Sequence, residues 1–171
     1  MPFVEGGLNL NLGANYHARP EFTNVDIQPY PGVQVVCDLE KTWPWEDGSV
    51  DYILAEDIFE HLHDPIHAMN ETWRVLKMGG EISIWVPSTD GRGAFQDPTH
   101  VSYWNPNTFL YYSANHPEYH DIYPHLIKSS FDISFGESPP SPLKVIWIRA
   151  VCRKVPNNVK QLVHDGVPGG S

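Results

Sequence analysis

The chain has 171 residues, of which 41% are hydrophobic and 19% charged, so its composition is that of a globular protein and not of a disordered one. Its 11 basic and 21 acidic residues give a formal net charge of −10. An acidic surface repels phosphate, which argues against duplex nucleic acid as a partner. We expect a single domain over residues 1–155 and a loose C-terminal tail over residues 156–171.

The two cysteines point to a reducing compartment. Cys37 and Cys152 both lie within apolar runs, where a small buried thiol is more common than a disulfide. Their spacing does not form a zinc-ligand pattern. Since no signal peptide or long apolar span is apparent, we expect a cytoplasmic protein that does not associate with a membrane.

Short apolar segments separated by turn residues predict strands in the first third of the chain. These strands are expected at residues 8–13, 22–27, 33–37 and 50–55. Gly13 follows the first strand, and acids end the second and third at Asp26 and Asp38. The first two connections are too short for ordinary crossover helices, because a parallel connection usually takes about a dozen residues or more. The sequence therefore predicts shortened N-terminal crossovers.

One amphipathic helix is predicted in the middle of the chain. Asp64 suits the N-cap and Pro65 the first helical position. The apolar stripe of the helix, which we interpret as core, consists of Ile66, Met69, Trp73 and Leu76. Two glycines, Gly79 and Gly80, are expected to end this helix.

Strands are predicted again at residues 81–87, 131–135 and 143–153. Between the first two of these segments lies an irregular stretch rich in aromatic residues and histidines, with one short helix at residues 106–113. Alternation of strand and helix followed by a late strand pair predicts an α/β sheet. We expect this sheet to be mostly parallel, with an antiparallel C-terminal strand pair.

Six segments, in this order and at these spacings, resemble the class I S-adenosylmethionine-dependent methyltransferases, in a minimal form of their methyltransferase-domain-11 branch. The segments lie at residues 10–15, 24–27, 36–39, 45–53, 59–62 and 73–80. The resemblance covers roughly residues 8–87 and implies a Rossmann-like sheet. Asn15 stands where this family usually has glycine, and Met78 where it often has proline. Only seven residues precede the first strand, so the N-terminal helices that usually cover the cofactor are not expected.

The resemblance implies S-adenosyl-L-methionine as cofactor and methyl transfer to an unidentified acceptor, either a small molecule or a protein. The predicted cofactor-binding residues are Asn11, Leu12, Gly13, Ala14, Asn15, Asp26, Ile27, Asp38, Leu39 and Glu56. Gly13 would let the ligand approach the backbone closely. Asp26 would accept hydrogen bonds from the ribose diol, and Asp38 from the adenine amino group. Asp26 could instead simply cap a turn, and Asp38 could be a solvated acid in a loop.

The predicted catalytic residues are His100, Tyr103 and His61, which would face the acceptor. Residues 95–106 follow the fifth strand, where the substrate wall is expected. His100 is the favoured general base, and a structural histidine tied to Asp97 is the alternative. His61 follows Glu56 shortly after the end of the fourth strand. Acids and histidines at this place either serve acid–base chemistry or begin a helix.

Two other functions and the oligomeric state stay open at this point. The chain could be a binding or scaffold module that keeps the fold without turnover. It could, less plausibly, be a metal-dependent enzyme that uses His116, His120 and His125, although the favoured interpretation includes no metal. A homo-oligomer could cover an exposed edge of the site.

Overall fold

A computed structural model describes residues 3–157, and its strands form one seven-stranded sheet. The strands are β1 Asn9–Leu12, β2 Thr23–Asp26, β3 Val35–Val36, β4 Val50–Glu56, β5 Leu76–Pro87, β6 Phe131–Glu137 and β7 Trp147–Lys154. Their order across the sheet is β3-β2-β1-β4-β5-β7-β6. Strands β1 to β5 pair in parallel, whereas β7 runs antiparallel to both β5 and β6. This arrangement confirms the predicted sheet with its antiparallel C-terminal pair.

The helices are short except for one. They are a single 3₁₀ turn, Phe59–His61, followed by α1 Pro65–Val75, α2 Gly93–Gln96, α3 Pro106–Leu110 and α4 Pro117–His120. Neither the β1–β2 nor the β2–β3 connection contains a helix, which confirms the shortened crossovers. Among residues 3–157, no helix has the length and apolar composition needed to span a bilayer.

The turn after β1 depends on two left-handed residues. Gly13 has φ 67° and Asn15 has φ 44°, a region that glycine and asparagine enter more readily than other residues. The turn is held by hydrogen bonds from the Ala14 N–H to the Val25 carbonyl (3.0 Å) and from the His17 N–H to the Ala14 carbonyl (2.7 Å). Asparagine can therefore replace the glycine common in the family without loss of the turn.

Helix α1 begins as predicted but ends early. The Asp64 carboxylate accepts a hydrogen bond from the His67 N–H at 2.8 Å, and Pro65 opens the helix. The prediction that Gly79 and Gly80 end the helix is wrong, because α1 ends at Val75 and β5 begins at the next residue. Leu76 already pairs with Val50 of β4, so sheet pairing ends the helix before the glycines are reached. The glycines instead lie where the register between β4 and β5 shifts.

The core lies between the sheet and the elements packed on its α1 face. Ile82, Ile84 and Val86 on β5 are fully buried on one side, as predicted. The largest buried rings on that side are Trp43, Phe59, Trp104, Phe109 and Phe131. Among the described residues, the opposite face has one small buried cluster, formed by Phe22, Tyr52 and Leu54.

Both cysteines are buried and free, as predicted, with Cys152 on β7 and Cys37 just after β3. The last strand was predicted to begin at residue 143 but begins at Trp147. Residues 143–146 form a loop in which Lys144 has φ 63°, a conformation that is incompatible with an extended strand. Most of the predicted tail, residues 158–171, lies outside the described residues.

Candidate functional site

Two cavities open at the carboxyl ends of the parallel strands and meet at Gly13. One, the Asp26 cavity, has a volume of about 350 Å³ and contains Gly13, Asp26, Ile27, Asp38 and Leu39 in its lining. The other, the Arg19 cavity, has a volume of about 440 Å³ and contains Asn11, Leu12, Gly13, Ala14, Asn15, Arg19 and Glu56 in its lining. Ligands of open α/β sheets bind outside the carboxyl ends of the strands. Every predicted cofactor-binding residue therefore lies at the expected place in the fold.

Gly13 lines both cavities and has no side chain. A Cβ atom at this position would lie 3.0 Å from the Cβ and Cγ1 atoms of Ile58. The Ile58 Cβ atom is bonded to the backbone, so a rotamer change cannot move it away. Glycine thus permits the left-handed turn and avoids a close contact with Ile58.

Asp26 caps the turn that it was predicted to border. Its carboxylate accepts hydrogen bonds from the Asn15 N–H (2.9 Å) and the Gln28 N–H (3.0 Å). A carboxylate has about four acceptor sites, so two backbone donors leave capacity for a ligand. Asp38 is similar, since its Oδ1 atom accepts from the Glu40 N–H at 3.0 Å. The turn-capping role of both acids is therefore present, and ligand binding by them stays a prediction.

An ion pair crosses the Arg19 cavity. Arg19 donates to the Glu56 carboxylate at 2.6 Å, with the two side chains 30% and 38% exposed. Sequence reasoning identified Glu56 but missed Arg19. The sequence feature that could have indicated Arg19 is its place as a lone arginine in the shortened first crossover. The strand order places this crossover opposite the end of β4. The pair presents one positive and one negative group to the same space.

A third cavity, the His100 cavity, has a volume of about 250 Å³ and lies beside the end of β4. The residues in its lining that can titrate are Asp57, Glu60, His61, Asp97 and His100. The rings of His61 and His100 meet edge to face, with their centroids 4.9 Å apart. His61 also lines the Asp26 cavity, so it connects the two spaces.

The structure bears on the expected places of Tyr103 and His100. Tyr103 does not line the His100 cavity, because its half-exposed ring stacks on Phe95 at 5.3 Å. Its proposed role toward the acceptor stays a prediction. The alternative of a His100 tied to Asp97 is weak, since the Nε2 atom lies 4.0 Å from the carboxylate. The Nδ1 atom instead lies 3.1 Å from the Ala94 carbonyl.

Glu60 lines the His100 cavity, although an acid at this place in the sequence would ordinarily only begin a helix. Its side chain is 2% exposed, and its Oε2 atom has no hydrogen-bond partner. Burial raises the pKa of Glu60 to about 8, and the Asp57 and Asp97 carboxylates add to this rise. Nothing local distinguishes Glu60 from an ordinary first-turn acid, because its burial depends on residues 95–104 folding over it.

The histidine-rich segment does not assemble a metal site within the part of the chain that the structure describes. Both ring nitrogens of His120 are engaged, one with Asp121 at 3.0 Å and one with the Ser129 carbonyl at 2.8 Å. His116 pairs with Glu118 at 3.0 Å. His120 thus connects the last turn of α4 to the segment that precedes β6.

Comparisons with known proteins agree with this fold. Residues 7–84 match the model of a family described as "Methyltransferase domain". An uncharacterised 37.1 kDa protein of a Streptomyces fradiae transposon is 37% identical over 60 residues, which are 35% of this chain and 17% of that protein. The chain thus spans only a small part of that relative's length.

Solved structures extend the likeness to most of the chain. A SAM-dependent methyltransferase from Archaeoglobus fulgidus has a TM-score of 0.65 at 15% identity, over 90% of this chain and 89% of that one. A 1,6-didemethyltoxoflavin-N1-methyltransferase from Burkholderia thailandensis has a TM-score of 0.61 at 15% identity, over 89% of this chain and 73% of that one. The solved structures show that this chain has the fold of S-adenosylmethionine-dependent methyltransferases, and residues 7–84 resemble a methyltransferase domain.

Proposed function

We propose that the chain binds S-adenosylmethionine across the Asp26 and Arg19 cavities and transfers its methyl group to a small-molecule or protein acceptor. The observation that carries this proposal is the pair of cavities that meet at Gly13, with an acid at the end of each flanking strand. Their volumes lie in the range of small-molecule sites. The polar groups around them match the parts of this cofactor.

The Asp26 cavity suits the adenosine part. Asp26 retains acceptor capacity for a ribose diol after its two backbone contacts, and Asp38 retains capacity for an amino group. Leu39 and Ile58 supply apolar surface for a flat base.

The Arg19 cavity suits the amino-acid part. A zwitterion carries a carboxylate, which matches the Arg19 guanidinium, and an ammonium group, which matches the Glu56 carboxylate. The ion pair places both charges at the surface of the cavity. On binding, the Arg19–Glu56 ion pair would be replaced by two ion pairs, one between Arg19 and the ligand carboxylate and one between Glu56 and the ligand ammonium group.

The His100 cavity suits the acceptor. The sulfonium supplies an activated methyl group, so the protein must align an acceptor lone pair with the methyl carbon and take up a proton. As the bond from the acceptor to the methyl carbon forms, the carbon–sulfur bond breaks and leaves S-adenosylhomocysteine. His61 and His100 both line the cavity that the acceptor would enter. Tyr103 does not line the His100 cavity, so we propose these two histidines as the proton acceptors.

Titration calorimetry with two ligands tests the two halves of the site. S-adenosylmethionine contains the ribose and the amino acid, whereas 5′-methylthioadenosine contains only the ribose. Arg19→Ala should weaken binding of S-adenosylmethionine about 10- to 100-fold, the equivalent of one charged hydrogen bond, and leave methylthioadenosine unchanged. Asp26→Asn, which keeps one acceptor oxygen for the turn, should weaken both ligands.

Two controls accompany these titrations. Asp132→Asn, at an exposed acid on β6, should change neither affinity. Urea midpoints must stay close to that of the parent, so that lost affinity is not lost folding. Equal binding of S-adenosylmethionine by the parent and both site variants would overturn the assignment. Binding without methyl transfer to any acceptor tested would instead favour a binding module.

We also propose a cytoplasmic location, which is supported by the two free and buried cysteines. A second copy of the chain as partner stays a prediction from the sequence. Light scattering of the purified chain measures the oligomeric state.

A further inference from the structure

Three side chains of different metal-binding types converge at the wall of the His100 cavity. Glu60, His61 and His100 each offer one ligand atom, and these atoms lie within 4.8 Å of one another. Two histidines and one carboxylate are a common set for divalent transition metals, which often keep further coordination positions for substrate or water. Glu60 and His61 come from the 3₁₀ turn after β4, and His100 from the loop after α2.

The hydrogen bonds of the histidines leave the Nε2 atoms free to bind. The Nδ1 atom of His100 lies 3.1 Å from the Ala94 carbonyl, to which only an N–H can donate. The Nδ1 atom of His61 lies 3.2 Å from both the Thr99 carbonyl and the Thr99 hydroxyl. That hydroxyl donates to Asp97 at 2.6 Å, so it accepts from His61.

Both rings are therefore held in the tautomer with the proton on Nδ1 and a lone pair on Nε2. Histidines that bind metals usually donate their other N–H to a carbonyl, a carboxylate or water in this way. The backbone carbonyls of Ala94 and Thr99 provide that support here.

Glu60 supplies an independent reason for a cation. Its side chain is 2% exposed, and its Oε2 atom is buried without a hydrogen-bond partner among the described residues. Leaving a buried polar atom unpaired costs folding free energy, which native structures ordinarily avoid. A bound cation would satisfy this oxygen directly.

We propose that Glu60, His61 and His100 bind a divalent transition metal of the zinc type, with an open coordination position toward the His100 cavity. Ligand atoms around tetrahedral zinc, with bonds of about 2.1 Å, lie about 3.4 Å apart. Side-chain rotations that bring the atoms at most about 1.4 Å closer would close the site.

The use of this metal rests on the proposed function. An oxygen or nitrogen of the acceptor bound at the open position would lose its proton to solvent water more readily, because the cation stabilises the resulting anion. The metal would then take the place of the histidines as the group that activates the acceptor.

The test is a titration of the purified full chain with Zn²⁺ after dialysis against EDTA. We expect saturable binding of one ion per chain by calorimetry. Loss of an outer partner alone costs about 10- to 100-fold in metal affinity, so Glu60→Gln and His100→Gln should each cost about 100-fold or more. Circular dichroism verifies that each variant is folded, and either variant suffices if the other fails to fold.

His116→Gln is the matched control, because it removes a histidine of the other histidine-rich segment, outside the His100 cavity. It should leave Zn²⁺ affinity unchanged. The proposal is overturned if the parent binds no Zn²⁺, or if Glu60→Gln and His100→Gln bind it as tightly as the parent.

The same preparations separate this inference from the proposed function. Neither Glu60 nor His100 lines the Asp26 or the Arg19 cavity, so binding of S-adenosylmethionine should survive both substitutions. Cofactor binding without Zn²⁺ binding refutes the metal site alone. Zn²⁺ binding without cofactor binding refutes the proposed function alone.

Discussion

Substitution of Gly13 by alanine tests whether this position must be open as well as left-handed. Gly79 provides a matched control, because it also has a positive φ, 79° against 67° for Gly13. An added Cβ at Gly79 meets no atom within 4 Å, whereas at Gly13 it would lie 3.0 Å from Ile58. The two substitutions therefore share the backbone cost and differ in the contact with Ile58.

The magnitudes follow from these two contributions. A left-handed conformation costs a residue other than glycine about 1–2 kcal/mol, which both variants should lose. Overpacking against Ile58 should add about 1–3 kcal/mol for Gly13→Ala alone. We therefore expect a loss in the free energy of unfolding of about 2–5 kcal/mol for Gly13→Ala and about 1–2 kcal/mol for Gly79→Ala.

Urea unfolding measures both losses, and calorimetry measures binding of S-adenosylmethionine. The Gly13 variant should also bind more weakly, because the new methyl group stands where the two cavities meet, whereas the Gly79 variant should bind as the parent does. Equal destabilisation by the two substitutions, together with unchanged affinity, would refute the reasoning.

Two further predictions concern stability. Glu71 accepts from Arg74 at 2.8 Å and from the Trp43 N–H at 2.7 Å; burial raises its pKa, but these hydrogen bonds outweigh burial and hold the pKa below its ordinary value. The contribution of the Glu71 carboxylate to stability is thus present above the ordinary glutamate pKa and is lost as the pH falls through the lowered pKa of the folded state. Glu71→Gln should therefore cost about 1.5–3 kcal/mol in urea unfolding at pH 7 and little at pH 3. An equal cost at both pH values would contradict this account. Trp104→Ala should cost about 3–5 kcal/mol, because the ring is 1% exposed, whereas Trp85→Ala, at a ring 37% exposed, should cost much less by the same measurement.

Local patterns were sufficient for features that neighbouring residues determine. The N-cap at Asp64, the alternation of β5 and the acids at strand ends each depend on a few adjacent residues, and all lie where they were predicted. The end of α1 was wrong because it depends on a distant partner. Pairing of Leu76 with Val50 in the sheet outweighs the local signal of Gly79.

The candidate site divides in the same way. The residues predicted to hold the cofactor lie at or just after strand ends. Parallel strands bring those ends together whatever the conformation of the connecting loops. Arg19 was missed because its partner Glu56 is 37 residues away in sequence. The stacking of Tyr103 on Phe95 could not be predicted, because the direction of a side chain in an irregular loop depends on its packing.

The sequence by itself determined the strand–turn–strand order, the left-handed turn at Gly13 and Asn15, and the acids at its border, because backbone sterics and apolar alternation act over a few residues. Only the tertiary structure decided that Glu60 is buried, that His61 and His100 face each other, and that Arg19 meets Glu56. These properties arise when segments that are distant along the chain pack together and exclude water. Burial and electrostatic interactions depend on that packing, and no local pattern records them.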